Sequence, residues 1–360
     1  MIDRIHGGDI KRYISDTTSC MRKMVDFSAN INPLGLSPKT KAAIRENITG
    51  VVHYPEQGSR SLKKALAAFH NAKQDNLTVG NGSIELIYLI PKALKAKKIL
   101  IITPTFSEYE FSAKSNGAKI IFVKTEESEN FRVDLNKLQK LLSRVDLVFL
   151  GNPNNPTGSC LHAEELLPLV EVCARHKTVL VIDEVFMDFV ETCDEDSLLS
   201  AAPGNKHLLV LRSLTKFFAL PGLRLGYAVG HRDLVRNISD LQYPWNINSL
   251  AQAAGREALE DSDYMSYSRE YIAKEREFLF GGLKGIKGLK AFTPSSNFIL
   301  CKLDGHAVKS AKVLNERLIK KGLIIRDCGN FRGLNEKFFR VAVRKRDENR
   351  RLIISLKEVL

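Results

Sequence analysis

The chain has 360 residues, 44% hydrophobic and 26% charged, and 54 Lys and Arg against 41 Asp and Glu give a formal charge of +13. That composition excludes intrinsic disorder and collagen-like structure, and no apolar run approaches the ~18 residues that a spanning helix needs. Length alone suggests about two domains. The positive excess admits nucleic acid or a Lys-rich surface that attracts an anionic small molecule. Basic residues are spread along the chain without a basic tail or an aromatic RNA-binding signature, so no nucleic-acid partner is expected. The amino end, Met1-Ile-Asp-Arg-Ile-His6-Gly-Gly, carries charges where a secretory signal would be apolar, and the expectation is a soluble, cytoplasmic protein. Six cysteines (Cys20, Cys160, Cys173, Cys193, Cys301, Cys328) show no C-x-x-C and no paired metal spacing, which suggests free thiols and no zinc.

In chain order, the first forty residues lack a core pattern of their own and are expected to pack on the carboxyl-terminal part. From about residue 75 to 230, short β-rich runs alternate with helical spacing. The predicted strands are Lys98–Thr103, Lys119–Val123, Asp146–Leu150, Thr178–Ile182, Leu208–Leu211 and Leu225–Val229. The predicted helices between them include Ile84–Leu94, Leu135–Leu142 and Ala163–Arg175. Continuously apolar strands separated by helices indicate a mostly parallel sheet covered on both faces, an α/β fold. Beyond residue 245 a long helical stretch (about 247–283) precedes a smaller α/β unit: strands at Asn297–Leu303, Leu323–Ile325 and Phe338–Val343, a helix near 307–320 and a closing helix. The expected division is an arm (1–40), a large domain (41–250) and a small domain (251–360), with no internal repeats.

Four segments carry chemistry-bearing residues. Ser213-Leu-Thr-Lys216 follows a predicted buried strand; a lysine there, among apolar residues, is a candidate Schiff-base amine whose pKa desolvation would depress. Ser213 and Arg224 flank it and could hold an anion. Gly80-Asn-Gly82-Ser83 opens a predicted helix, where free N–H groups and the dipole suit a phosphate. Gly151-Asn-Pro-Asn-Asn155-Pro-Thr-Gly158 fixes a turned loop at a strand's carboxyl end, presenting Asn155. Val181-Ile-Asp183-Glu184 ends the next strand with a carboxylate that needs a partner.

Together these segments resemble fold-type I pyridoxal-phosphate enzymes, the aspartate-aminotransferase superfamily, over nearly the whole chain. The resemblance implies that Lys216 carries pyridoxal 5'-phosphate covalently, that Asp183 keeps the pyridine nitrogen protonated, and that Asn155 bonds the phenolic oxygen. It implies that Gly82, Ser83, Ser213 and Arg224 clamp the cofactor phosphate and that Tyr109 stacks on the ring. Tyr54, in His53-Tyr54-Pro55-Glu56, matches a position that in relatives reaches the neighbouring subunit's cofactor phosphate, which implies a homodimer with shared active sites. One position departs from the pattern: Phe186 stands where many aminotransferases have a tyrosine.

Two branches of the superfamily are close, histidinol-phosphate aminotransferases and threonine-phosphate decarboxylases, the enzymes that make the aminopropanol phosphate arm of cobalamin. Three stretches resemble the decarboxylases: His6-Gly-Gly, Asp26-Phe-Ser-Ala-Asn30-Ile-Asn32-Pro-Leu-Gly35, and Leu211-Arg-Ser-Leu-Thr-Lys216 followed by Pro244-Trp245-Asn-Ile-Asn248. Taken singly, His6 would be a solvated histidine, Trp245 a packing residue and the Asn30/Asn32 run a turn; their joint occurrence argues for the functional reading. Arg340, flanked by apolar residues on a predicted strand, suits a carboxylate. Arg326 is similar and by the resemblance faces the substrate phosphate with His6 and Asn32. The expected activity is pyridoxal-phosphate-dependent decarboxylation of O-phospho-L-threonine or O-phospho-L-serine, a phosphorylated amino-acid substrate, with no metal. The alternative is a histidinol-phosphate-type aminotransferase. A non-catalytic ligand-sensing regulator would carry an appended helix-turn-helix, for which the roughly forty residues before the catalytic pattern are too few.

Overall fold

The computed structural model of the chain describes residues 6–10, 24–305 and 307–360. Cys20 and much of the expected arm therefore lie outside the described residues. The five other cysteines are free thiols.

A short strand, β1 (Val25–Asp26), is followed by the seven strands of one sheet: β2 (Leu77–Asn81), β3 (Lys98–Thr103), β4 (Lys119–Lys124), β5 (Leu147–Gly151), β6 (Val179–Asp183), β7 (Leu208–Ser213) and β8 (Leu225–Gly230). Their spatial order is β2-β8-β7-β6-β5-β3-β4, and only β8 runs against its neighbours. Side chains alternate between the faces of a strand, and the strands here are apolar on both. Ile99, Ile101, Phe149, Val181 and Leu209 pack with Leu86, Ile87 and Ile90 of the helix Ser83–Ala93. Leu100, Ile102, Leu150, Ile182 and Val210 pack on the opposite face with Leu166 and Leu169 of the helix Ala163–His176. Such burial on two sides is what continuously apolar sequence produces.

The predicted strands are present, and several run a residue or two further, into Gly151, Asp183 and Ser213, the residues that open the functional loops. β2 was not anticipated: Leu77-Thr-Val-Gly-Asn offers only two large apolar side chains and becomes a strand by pairing with β8. Two helical expectations are corrected. The stretch 247–283 is two helices, Ser249–Leu259 and Ser262–Lys284, because Asp261 leaves helical geometry (φ −97, ψ 68). The helix from Leu135 ends at Gln139 and gives way to a 3-10 turn at Leu142–Arg144.

The carboxyl-terminal part forms a second sheet. Its strands β9 (Leu289–Ala291), β10 (Phe298–Leu303), β12 (Arg326–Asp327) and β13 (Phe338–Ala342) are ordered β12-β13-β10-β9, all antiparallel. The remaining strand, β11 (Leu323–Ile324), pairs in parallel with β1, which ties the early segment to this unit. Arg326 and Arg340 are register partners across β12 and β13, so their side chains leave the same face. No helix among the described residues is long and apolar enough to cross a membrane.

Candidate active site

The carboxyl ends of β5, β6 and β7 open into a cavity of about 1050 Å³, counting its mouth, whose far wall is the second sheet. Ligands in open α/β sheets bind at such strand ends. Register puts Gly151 beside Asp183, and Asp183 beside Leu211. The two acids that end β6 separate here. Glu184 is held behind the sheet by Arg212 at 3.0 Å, with Asp188 on the same guanidinium at 2.7 Å, whereas Asp183 lines the cavity.

Lys216 projects into this space three residues past β7. Burial, with Arg340 and Arg224 repelling the ammonium, lowers its pKa to about 8, and only Asp183 opposes the shift. The amine is thus a nucleophile close to neutral pH. Asp183 is 8% exposed; its Oδ1 accepts the Val185 N–H at 3.0 Å and its Oδ2 the Tyr109 hydroxyl at 2.6 Å. Burial raises its pKa, and these donors and Lys216 counter the rise. The Tyr109 ring lies parallel to Phe149 at 5.0 Å and contributes to the cavity wall.

Ser83 and Ile84, the first residues of the helix Ser83–Ala93, line the cavity, so the positive end of that helix faces a bound anion. Arg224 stands over this end, and two glycines make the approach possible. A Cβ on Gly82 (φ +72) would fall 2.5 Å from an Arg224 guanidinium nitrogen, and one on Gly226 would fall 2.2 Å from Ser83 N. The Gly82 N–H is itself bonded to Arg224 O at 2.9 Å, which leaves Ser83 and Ile84 as the cradle.

Four basic side chains (Lys216, Arg224, Arg326, Arg340) line the cavity together with one carboxylate, Asp183. Arg340 is 5% exposed; it donates to Asn155 Oδ1 and, at 2.8 Å, to Ser28 O, while its Nε finds no acceptor among the described residues. Burial and the neighbouring Arg326 bring its pKa down to about 10, so it stays protonated at neutral pH. Arg326 donates to Asn330 Oδ1 at 2.9 Å and lies over the Phe331 ring. His6 reaches the wall from the amino-terminal segment: Gly8 N–H bonds Ser28 Oγ at 2.9 Å, and the imidazole meets Glu108 at 2.9 Å. Phe186 also lines the cavity, where its ring adds no hydrogen-bonding group.

Three sequence-derived residues are placed elsewhere. Asn32 does not face the cavity: its Nδ2 meets Phe217 O, Tyr264 Oη and Ser268 Oγ at 2.9–3.0 Å, and its Oδ1 accepts the Leu34 N–H at 3.1 Å. Its neighbour Asn30 does line the cavity, is 3% exposed, and has neither amide atom paired among the described residues. Ser213 is occupied by Thr215 Oγ1 at 2.7 Å and Leu225 O at 3.2 Å, and it is Thr215 that lines the wall. Tyr54 lies outside the cavity, 80% exposed and stacked on Trp245 at 4.6 Å.

This architecture is that of the fold-type I pyridoxal-phosphate enzymes, in which the protein supplies a lysine, a carboxylate and an anion cradle. Within that class the chain belongs to the aminotransferase class I and II family, whose model matches residues 22–356. It is 40% identical over 352 residues to a protein of Caldanaerobacter subterraneus subsp. tengcongensis that carries the name threonine-phosphate decarboxylase, covering 98% of this chain and 93% of the relative. It is 32% identical over 361 residues to the threonine-phosphate decarboxylase of Salmonella typhimurium, covering 100% and 98%. A solved structure, the histidinol-phosphate aminotransferase of Clostridium acetobutylicum, superposes with a TM-score of 0.86 at 34% identity, covering 92% and 98%. Identity alone therefore does not separate the two reactions.

Proposed function

We propose that the protein is a pyridoxal-phosphate-dependent lyase that decarboxylates O-phospho-L-threonine to aminopropanol phosphate, the arm of cobalamin, with O-phospho-L-serine as a second substrate. The observation that carries this reading is the pair of anion anchors on one wall. Arg340, beside Asn155, suits a carboxylate; Arg326, with His6 and the unpaired Asn30, suits a phosphate. A substrate bearing both anions satisfies both anchors at once. Asn30 takes the role that the sequence resemblance placed on Asn32.

The residues fit the cofactor: a desolvated lysine and a buried carboxylate line the cavity, and a Cβ at Gly82 or Gly226 would close the cradle beside Ser83. Lys216 would hold it covalently, Asp183 would meet the pyridine nitrogen, and Ser83 with Arg224 would hold its phosphate. When bound, pyridoxal phosphate supplies the electron sink for the bond that breaks at Cα. Arg340, steadied by Asn155 Oδ1, grips the substrate carboxylate while Arg326, His6 and Asn30 grip the phosphate, and these two fixed points set the torsion about Cα. Lys216 Nζ, whose pKa lies at about 8, would deliver the proton that replaces carbon dioxide.

Tyr54, Trp245 and the adjoining Val51 and Val52 leave an exposed apolar surface, which supports a homodimer whose partner supplies Tyr54 to the cavity. The large domain would span 41–250, with 251–360 as the small domain, in a cytoplasmic enzyme.

Holoprotein incubated with O-phospho-L-threonine and no keto acid is expected to release carbon dioxide and aminopropanol phosphate together. Amino transfer from histidinol phosphate once a keto acid is added, without such release, would place it with the aminotransferases, the reading that the 34% identical structure favours.

A further inference from the structure

Glu108 is the first residue of the helix Glu108–Ser115 and sits behind the cavity wall, its side chain 7% exposed against 45% for His6. Its Oε1 is 2.9 Å from His6 Nε2, and its Oε2 accepts the Tyr88 hydroxyl at 2.7 Å. The same helical turn contains Glu110, whose carboxylate is gripped from the other side by Arg332 and Lys114. The two acids thus do different things. Glu110 bridges to the carboxyl-terminal unit, and Glu108 reaches the amino-terminal segment.

We propose that Glu108 is the positioning residue that presents His6 to the substrate phosphate, and so helps this site select phosphorylated amino acids. The inference deepens the proposed function and rests on its reading of His6 as a phosphate contact. A carboxylate accepts hydrogen bonds and does not donate them, so His6 Nε2 carries the hydrogen in their contact. Nδ1 is then the ring nitrogen left for the phosphate, whose oxygens only accept, so in that contact Nδ1 also carries a hydrogen and the ring is the imidazolium that Glu108 and the phosphate hold between them. A histidine near a chain end ordinarily samples several rotamers. Here its backbone is fixed on Ser28, since a Cβ on Gly7 would fall 2.0 Å from Ser28 O and Gly8 N–H bonds Ser28 Oγ at 2.9 Å. Its ring is fixed on Glu108 and rests against Phe106 at 5.7 Å between centroids. Tyr88 in turn fixes the carboxylate, and the helix N-terminus favours its charge. The order of support runs from Tyr88 to Glu108 to His6, and only His6 lines the cavity.

A double-mutant cycle tests this, with steady-state decarboxylation of O-phospho-L-threonine as readout. Glu108→Ala is expected to raise KM about tenfold, the scale of a lost hydrogen bond to a charged group, with a much smaller change in kcat. Glu108→Gln, whose amide oxygen can still accept from Nε2, should recover part of that loss and keeps the test valid should the alanine variant fold poorly. His6→Ala should raise KM at least as much, and adding a Glu108 substitution to it should cost nothing further. Additive effects of the two sites, or a Glu108→Ala variant indistinguishable from wild type, would overturn the inference while leaving the decarboxylase reading intact. A wild-type holoenzyme that fails to turn over phosphothreonine would overturn the proposed function, and this inference with it.

Discussion

Lys216 titrates at about 8 because burial strips water from its ammonium and two guanidiniums repel it. Its free-base fraction therefore rises through about pH 8, far below the ordinary 10.5. The rate at which apoprotein captures pyridoxal phosphate, followed by absorbance, should climb over the same range and level off above it. A rate still climbing about tenfold per pH unit up to pH 9.5, with no plateau, would show that the amine is not desolvated. Linkage has a definite sign as well. Between about 8 and 10.5 the unfolded chain binds more protons at this site than the folded one, so this group's contribution to apoprotein stability rises with pH there. Asn30 and Asn32 give the second contrast at this scale. Asn32→Ala removes the donor to Phe217 O, Tyr264 Oη and Ser268 Oγ and the acceptor of the Leu34 N–H, and should destabilise by about 2 kcal/mol in denaturant unfolding. Asn30→Ala removes an amide with no partner among the described residues, so stability should hold or improve while KM for phosphothreonine rises several-fold. The reverse pattern would return the substrate contact to Asn32.

At the scale of elements, the helix Ser83–Ala93 and β8 work as one device, because the helix can bring its N-terminus to the cavity only where Gly226 lets Ser83 N approach. Gly226→Ala places a methyl group 2.2 Å from that nitrogen, against backbone that cannot rotate away. The cost should be about 1–3 kcal/mol of stability together with weaker retention of pyridoxal phosphate, measured by melting and by dialysis. Unchanged cofactor retention would remove this helix end from the cradle. These elements were legible in the sequence to different degrees. β3 and β5–β7 announce themselves because burial on both faces demands unbroken apolar runs, whereas β2 gains its strand state from β8. The break at Asp261 was invisible because the helical spacing of apolar residues continues across it. Lys216 was readable from its place after β7, Asp183 from ending β6, and Arg224 from the segment that joins β7 to β8. Asn30 and Asn32 were not separable, since residues two apart share a face in extended chain. The chain turns between them, with Ile31 N–H on Ala29 O and Gly35 N–H on Asn32 O, and sends Asn32 inward.

For the whole molecule, the exposed stack of Tyr54 on Trp245 is the feature that a single subunit leaves without a use. Tyr54 does not line the cavity, whose anion cradle is made of Ser83, Ile84 and Arg224. In a symmetric dimer the same surface patch meets its own copy, so each Tyr54 can serve the site of the other subunit. Subunit mixing distinguishes that arrangement from a Tyr54 acting within its own chain. Tyr54→Ala and Lys216→Ala homodimers should each be strongly impaired. Unfolded together and refolded at equal concentration, they should regain about a quarter of wild-type activity, because half the random dimers are hybrids and each hybrid holds one intact site. The intact site is the one in the Tyr54→Ala subunit, which keeps its own Lys216 and borrows the other chain's Tyr54. If Tyr54 acted in its own subunit, every site in every hybrid would lack one residue or the other, and mixing would restore nothing.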